Sequence, residues 1–145
     1  MKPTEVIDQG RAILDPFLRP LGFQFEAGDA GGSSGGDFAR GAYVRGDHRL
    51  EFSVRHSLGL VVYRVGETVI THEDFIRAVA GPGQARYPGV SDDPLDAFRD
   101  LRFDLEQHGR AFLRTMDEDF HAFARRAEQT RPRSGFARLS DVDAG

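Results

Sequence analysis

"HRLEFSVRH", His48 to His56, decides how this chain folds. In an extended strand, successive side chains point to opposite faces. Leu50, Phe52, Val54 and His56 therefore share one side, and Arg49, Glu51, Ser53 and Arg55 share the other. An apolar row backed by a charged row marks an antiparallel strand with one covered face and one solvated face. The flanking sequence must then supply more strands, and something to cover them.

It does. "DFARGAYVR" (Asp37–Arg45) and "LGLVVYRV" (Leu58–Val65) read as strands on either side. Gly46-Asp47 joins the first of these to the middle strand, with glycine supplying the positive φ of a tight hairpin. Ser57-Leu58-Gly59 lies between the second and third. Upstream, "LGFQFEA" alternates Leu21, Phe23 and Phe25 as a short strand. The sheet expected is antiparallel, of about four strands.

The cover is helical. "TEVIDQGRAILDPFLRPLGF", from Thr4, carries Val6, Ile7, Ile13, Leu14, Phe17 and Leu18 near helical period. Asp15-Pro16 predicts a kink, or a stop followed by a short new turn, because proline lacks the amide donor. "THEDFIRAV" offers Thr71 as N-cap and Asp74 three residues on. "DPLDAFRDLRFDLEQHGRAFL" reads as one long helix, capped by Asp93, with Pro94 at its first position. Its stripe is Leu95, Phe98, Leu101, Leu105 and Phe112; Phe103 lies off it and calls for a cover from the last helix. That helix begins near Thr115, with Glu118 completing a capping box. Residues 131–145 read as a polar, flexible tail. The fold class is α+β: one domain over 3–130, with an N-terminal helix and C-terminal helices on one face of the sheet.

Composition bounds the function. The 145 residues are 39% hydrophobic and 29% charged, the balance of a globular chain. The net charge of −4 argues against nucleic acid, which rewards a basic surface. The chain has no cysteine, so thiol and Cys-zinc chemistry are excluded. The charged start "MKPTEVIDQG" lacks a signal peptide's apolar run. Cytoplasmic residence is the expectation, with no membrane anchor.

The stretch that invites a chemical reading is "GDAGGSSGGDF", Gly28 to Phe38. It satisfies G-x-S-x-G twice, yet a nucleophile elbow needs a helix after the serine, and a strand follows here. Gly31 and Gly36 have Walker spacing, but Asp37 stands where the lysine belongs. A backbone anion nest is left, using Gly32, Ser33, Ser34 and Gly35 with Arg40 as counter-charge; this is the small-ligand or nucleotide alternative. Otherwise the stretch is a permissive connection between two strands. "HEDFI" starts like a zinc helix, but Ile76 replaces the second histidine, and His72 and Asp74 read as decoration of a helix N-terminus. No metal, no cofactor and no catalytic pair assemble from local spacing.

The face opposite the apolar row is the better candidate. Tyr43, Arg45, Arg49, Arg55 and Tyr63 are assigned to it, with Ser53. Arginine and tyrosine are favoured anchors in protein interfaces. The function expected is non-enzymatic protein binding, with an unidentified partner or a second copy.

"FLRPLGFQF" (Phe17–Phe25), "HSLGLVVYRVG" (His56–Gly66) and "YPGVSDDPLDAFRDLRFDL" (Tyr87–Leu105) lie in an order of helix, glycine-rich loop, strand meander and C-terminal helices. That outline resembles small uncharacterised bacterial α+β proteins, among them immunity proteins of polymorphic toxin systems. The resemblance spans about two thirds of the chain. It implies a role in binding and blocking a partner and assigns no functional residue.

Overall fold

The computed structural model describes residues 2–33, 36–114 and 117–130. Helix α1 (Pro3–Leu18) leads through a 3-10 turn (Arg19–Leu21) into five strands: β1 (Gln24–Ser33), β2 (Gly36–Arg45), β3 (His48–Val54), β4 (Leu58–Val65) and β5 (Thr68–Thr71). Four helices follow: α2 (His72–Ala80), α3 (Asp96–His108), α4 (Arg110–Leu113) and α5 (Asp117–Thr130). The strands form one antiparallel meander in the order β1-β2-β3-β4-β5. The α+β class is as expected, with five strands rather than about four.

Both differences in the sheet come from short-range chemistry. β5 has four residues, too few for its alternation to register in the sequence. Gly66 takes φ 59° in the two-residue turn ahead of it, and Thr71 ends the strand by capping α2. The Thr71 hydroxyl accepts the Asp74 amide at 3.3 Å, as the capping pattern predicted. The glycine-rich stretch is not a loose connection in its described part. β1 runs through Gly31 and Gly32 to Ser33, and β2 starts at Gly36, so Ala30 pairs with Ala39 and Gly32 with Asp37. A bulge between Ala27 and Ala30 absorbs Gly28 and Asp29.

The helices also depart from expectation. α1 continues through Pro16 to Leu18 and ends in the 3-10 turn, which Gly22 closes at φ 95°. Only one backbone donor is lost there, near the helix end. The long helix is two: Gly109 separates α3 from α4. Asp93 caps a turn ahead of α3, its carboxylate accepting the Leu95 amide at 2.9 Å. Phe103 is covered by the Arg86 guanidinium, 3.5 Å from its ring centre. The tail and the Thr115 cap fall outside the described residues.

All five helices pack on one sheet face. Val6, Leu14 and Leu18 of α1, Phe75 and Ile76 of α2, Phe98 and Leu101 of α3, Phe112 of α4 and Phe120 of α5 are buried against it. Phe112 is the hinge pin, with ring centres 5.5 Å from Phe23, 4.9 Å from Tyr63 and 5.9 Å from Phe120. No helix of the described residues is long and apolar enough to cross a membrane.

α1 and α3 meet at Gly10, where an added Cβ would stand 2.5 Å from Phe98 Cε1. Alanine in place of a mid-helix glycine normally gains about 0.5–1 kcal/mol. Here overpacking costs about 1–3 kcal/mol. Gly10→Ala should therefore lower stability in urea titration; a rise in the midpoint would show that the helices separate freely.

Candidate docking surface

Register sets which side chains face outward. The Gly46-Asp47 turn pairs Arg45 with His48, Tyr43 with Leu50 and Gly41 with Phe52. A two-residue turn thus places odd residues of β2 on the same face as even residues of β3. The same inversion sets Tyr63 opposite Leu50. Tyr43 and Tyr63 are consequently buried on the helix-covered face, which corrects their assignment to the outer one. The Tyr43 hydroxyl donates to Asp15 at 2.5 Å. Burial, reinforced by that carboxylate, pushes its phenol far above the usual range. Arg45 also points inward, its guanidinium 4.5 Å from the Phe23 ring centre. It donates to the Leu21 and Leu113 carbonyls at 2.8 and 2.7 Å, tying the 3-10 turn after α1 to the end of α4.

Arg49 and Ser53 do face outward. Ser53 pairs with Arg40, and Arg49 stands in the first of two cross-strand rows: Gln24, Val44, Arg49, Arg64 and Val69, then Glu26, Ala42, Glu51, Val62 and Thr71. Arg49 Nε donates to Glu51 at 2.9 Å. Arg64 meets the same carboxylate side-on, Nε and Nη2 each at 3.4 Å, and Arg49 reaches Glu26 at 3.4 Å. Partial burial would raise the Glu51 carboxyl, but the hydrogen bonds from Arg49 and Arg64 outweigh it and hold it below its ordinary value.

Small residues leave a trench beside this ladder. It has a volume of about 540 Å³ and crosses β1 to β4. Gly28, Ala42 and Ser53 form its floor, Arg40 and Arg49 its sides, and Leu60 and Val62 its far end. Leu60 is 64% exposed, high for a leucine inside a sheet. Arg40, placed by sequence with a ligand loop, belongs to this trench. Arg55 lies just past β3, donating to the Gly36 carbonyl at 2.9 Å, with its guanidinium 5.7 Å from the Phe38 ring centre.

The described part of the glycine loop has strand geometry. Gly32 and Ser33 are strand residues paired with Asp37 and Gly36. Amides along an antiparallel strand alternate in direction, whereas an anion nest needs successive amides aimed at one point. Ser34 and Gly35 fall outside the described residues. His56, expected inside, is exposed, because β3 ends at Val54 before it.

One polar constellation was not foreseen. His72 is buried inside the domain rather than decorating a helix end. Its Nε2 meets Asp104 Oδ2 at 2.8 Å and its Nδ1 meets the Tyr63 hydroxyl at 2.5 Å. An ionised carboxylate only accepts, so Nε2 carries the proton and Nδ1 accepts from Tyr63. Asp104 also accepts the amides of Arg86 and Tyr87, both at 2.8 Å. Tyr87 in turn donates to the Leu58 carbonyl at 2.9 Å and contacts that of Gly59. Burial pushes the Tyr87 phenol up to about 12, with Glu73 adding to it. The chain Tyr63–His72–Asp104–Tyr87 pins α2, α3 and the Pro82–Pro88 loop to β4. The sequence did hold a sign of it: Asp104 sits beside Leu105 and three residues after Leu101, inside the apolar stripe.

The other histidines stay apart. His48 donates to the Phe112 carbonyl at 3.0 Å, and His121 bonds Thr68 at 2.7 Å. No cluster of three metal-ligating side chains occurs among the described residues. No family model, curated protein or solved structure matches the chain.

Desolvation alone would raise the Asp104 carboxyl, but hydrogen bonds from His72 and the two amides hold it below its ordinary value. A depressed folded pKa stabilises above the unfolded value, about 3.9, and that contribution is lost as pH falls through the folded one. Asp104→Asn should cost about 1.5–3 kcal/mol at neutral pH, the usual worth of hydrogen bonds to a charged group. It should also flatten the loss of stability on acidification below about pH 4. Urea unfolding across that range checks both; an unchanged acid slope would assign it to other carboxylates.

Proposed function

We propose that this chain is a non-enzymatic protein-binding domain whose partner docks on the open sheet face. The observation that carries this reading is a five-stranded sheet whose helices, among the described residues, all lie on one side. On the other side, Leu60, Val62 and Val69 stand among Arg40, Arg49 and Arg64. A monomeric sheet face facing water is normally more uniformly polar than this. Apolar side chains among arginines are what an interface centre uses, with apolar area for affinity and guanidinium forks for orientation. Blocking a partner by occlusion, as an immunity or accessory protein does, is one use of such a face.

The Tyr63–His72–Asp104 chain is accounted for as an internal strut. Each of its hydrogen-bonding groups already has a partner inside the domain.

The test is a capture experiment from the native cell with a tagged chain. Wild type should retain a co-purifying protein that the Arg40→Glu, Leu60→Asp double variant loses, with both chains melting at the same temperature. Both side chains are exposed, so the fold should tolerate the change. Equal retention by the two would move docking off this face. Reversing Arg55 alone should have the smaller effect, since it lies beyond the end of β3.

A further inference from the structure

We infer that the occupant of the open sheet face is a second copy of this chain, packed face to face about a two-fold axis that runs parallel to the strands between β2 and β3. This rests on the docking reading above and names the partner.

The first support is a balance of charge that has a direction. Among the described residues, three guanidiniums, Arg40, Arg49 and Arg64, share this face with three carboxylates, Glu26, Asp29 and Glu51. A partner of one sign would meet as much repulsion as attraction. The charges are sorted across the strands, however. Glu26 and Asp29 are both on β1, β2 and β4 contribute Arg40 and Arg64, and β3 contributes Arg49 and Glu51. Rotation about an axis along the strands exchanges β1 with β4 and β2 with β3. The carboxylate edge of each copy then lies over the β4 end of the other, where Arg64 stands. Rotation about an axis across the strands would lay β1 on β1 and gather Glu26 and Asp29 of both copies, a like-charge contact that opposes association. Charge therefore selects the first arrangement. The internal pairs are loose enough to be exchanged. Arg40 is 61% exposed and 4.0 Å from Asp29, itself 83% exposed, and Arg49 is 3.4 Å from Glu26. Exposed pairs of this kind contribute little by themselves.

The second support is shape. An axis along the strands keeps each cross-strand row over its own counterpart. In one row Gly28 of β1 lies beside Arg40, Arg40 pairs with Ser53, and Leu60 follows on β4, two residues before Val62. Leu60 of each copy thus stands over Gly28 of the other, a protruding side chain over the hollow that a missing one leaves. In the next row Ala42 lies under the second copy's Glu51, and Glu26 faces the second copy's Val62 with Arg64 one row away. Every contact occurs twice, as a two-fold interface requires. Sheets stacked face to face stand about 10 Å apart, the depth that these side chains fill. Four strands about 4.8 Å apart and three rows about 7 Å apart give a patch of about 400 Å² in projection. Two such patches bury on the order of 1,000 Å² of accessible surface, the lower edge of specific interfaces, so the dimer is weak.

The experiment is sedimentation velocity of the full chain from about 5 μM to about 500 μM, with amide NMR spectra of the ¹⁵N-labelled chain over the same dilution. Wild type should pass from monomer to dimer, and dilution should shift the amides of Gly28, Ala42, Ser53, Leu60 and Val62. Glu26→Arg and Arg64→Glu, each with its spectral dispersion intact, should each dimerise at least about tenfold more weakly, because each opposes like charges at both ends of the interface. An equimolar mixture of the two should recover wild-type association, since the heterodimer sets arginine against glutamate at both ends. A wild type that stays monomeric at the highest concentration would overturn the inference. So would dilution shifts away from this face, or a mixture that associates no better than its components. Suppose wild type stays monomeric while the Arg40→Glu, Leu60→Asp variant still releases a captured protein of different sequence. The second copy then falls and the docking face stands. If that variant releases nothing and dilution shifts no residue of this face, the docking face itself falls.

Discussion

One cross-strand row holds this domain together. Phe25, Tyr43, Leu50, Tyr63 and Ile70 are opposite one another across all five strands, and the last four are buried. A strand that slipped by one residue would turn its member of the row outward, and in β3 it would put Arg49 or Glu51 into the core. Two-residue turns at Gly46-Asp47 and Gly66-Glu67 fix the count, each with glycine at φ 59°. The helices pack on what the row presents. Tyr63 stacks on Phe112 and meets Phe75 edge-on, so α4 and α2 are positioned by a single strand residue.

The polar groups that enter this core act as struts. Asp104 is buried, where an unpaired carboxylate would be intolerable. Four bonds from three segments satisfy it and its histidine: the His72 ring, two loop amides and the Tyr63 hydroxyl. Tyr43 with Asp15 and Arg45 with two carbonyls do the same for α1 and α4. Apolar packing is non-directional. These bonds specify which helix sits where.

With every described helix drawn to one face, the other carries only sheet side chains among the described residues. Their pairing is weak by construction, because the groups are half in water. The arginine–glutamate ladder keeps the face soluble while Leu60, Val62 and Val69 interrupt it. The glycine-rich hairpin forms one border of it. Its small residues make the trench floor at Gly28, where a larger side chain would meet Arg40 at 3.2 Å.

The sequence by itself determined the fold class, because period-two alternation in "HRLEFSVRH" and period-three-to-four stripes in the helices are local consequences of backbone geometry. It determined the Thr71 cap and the Gly46 turn for the same reason. It marked Arg49 and Ser53 as outward, since they lie within the strand that carried the alternation. It misassigned Tyr43, Arg45 and Tyr63 because facing is transmitted between strands by register, and a tyrosine's amphipathic ring suits either face. It could not join His72 to Asp104, which are 32 residues apart. Only the tertiary structure decided these, since burial and partnership depend on which distant segment packs alongside. Helix α3 brings a carboxylate to the one place where a buried imidazole needs it.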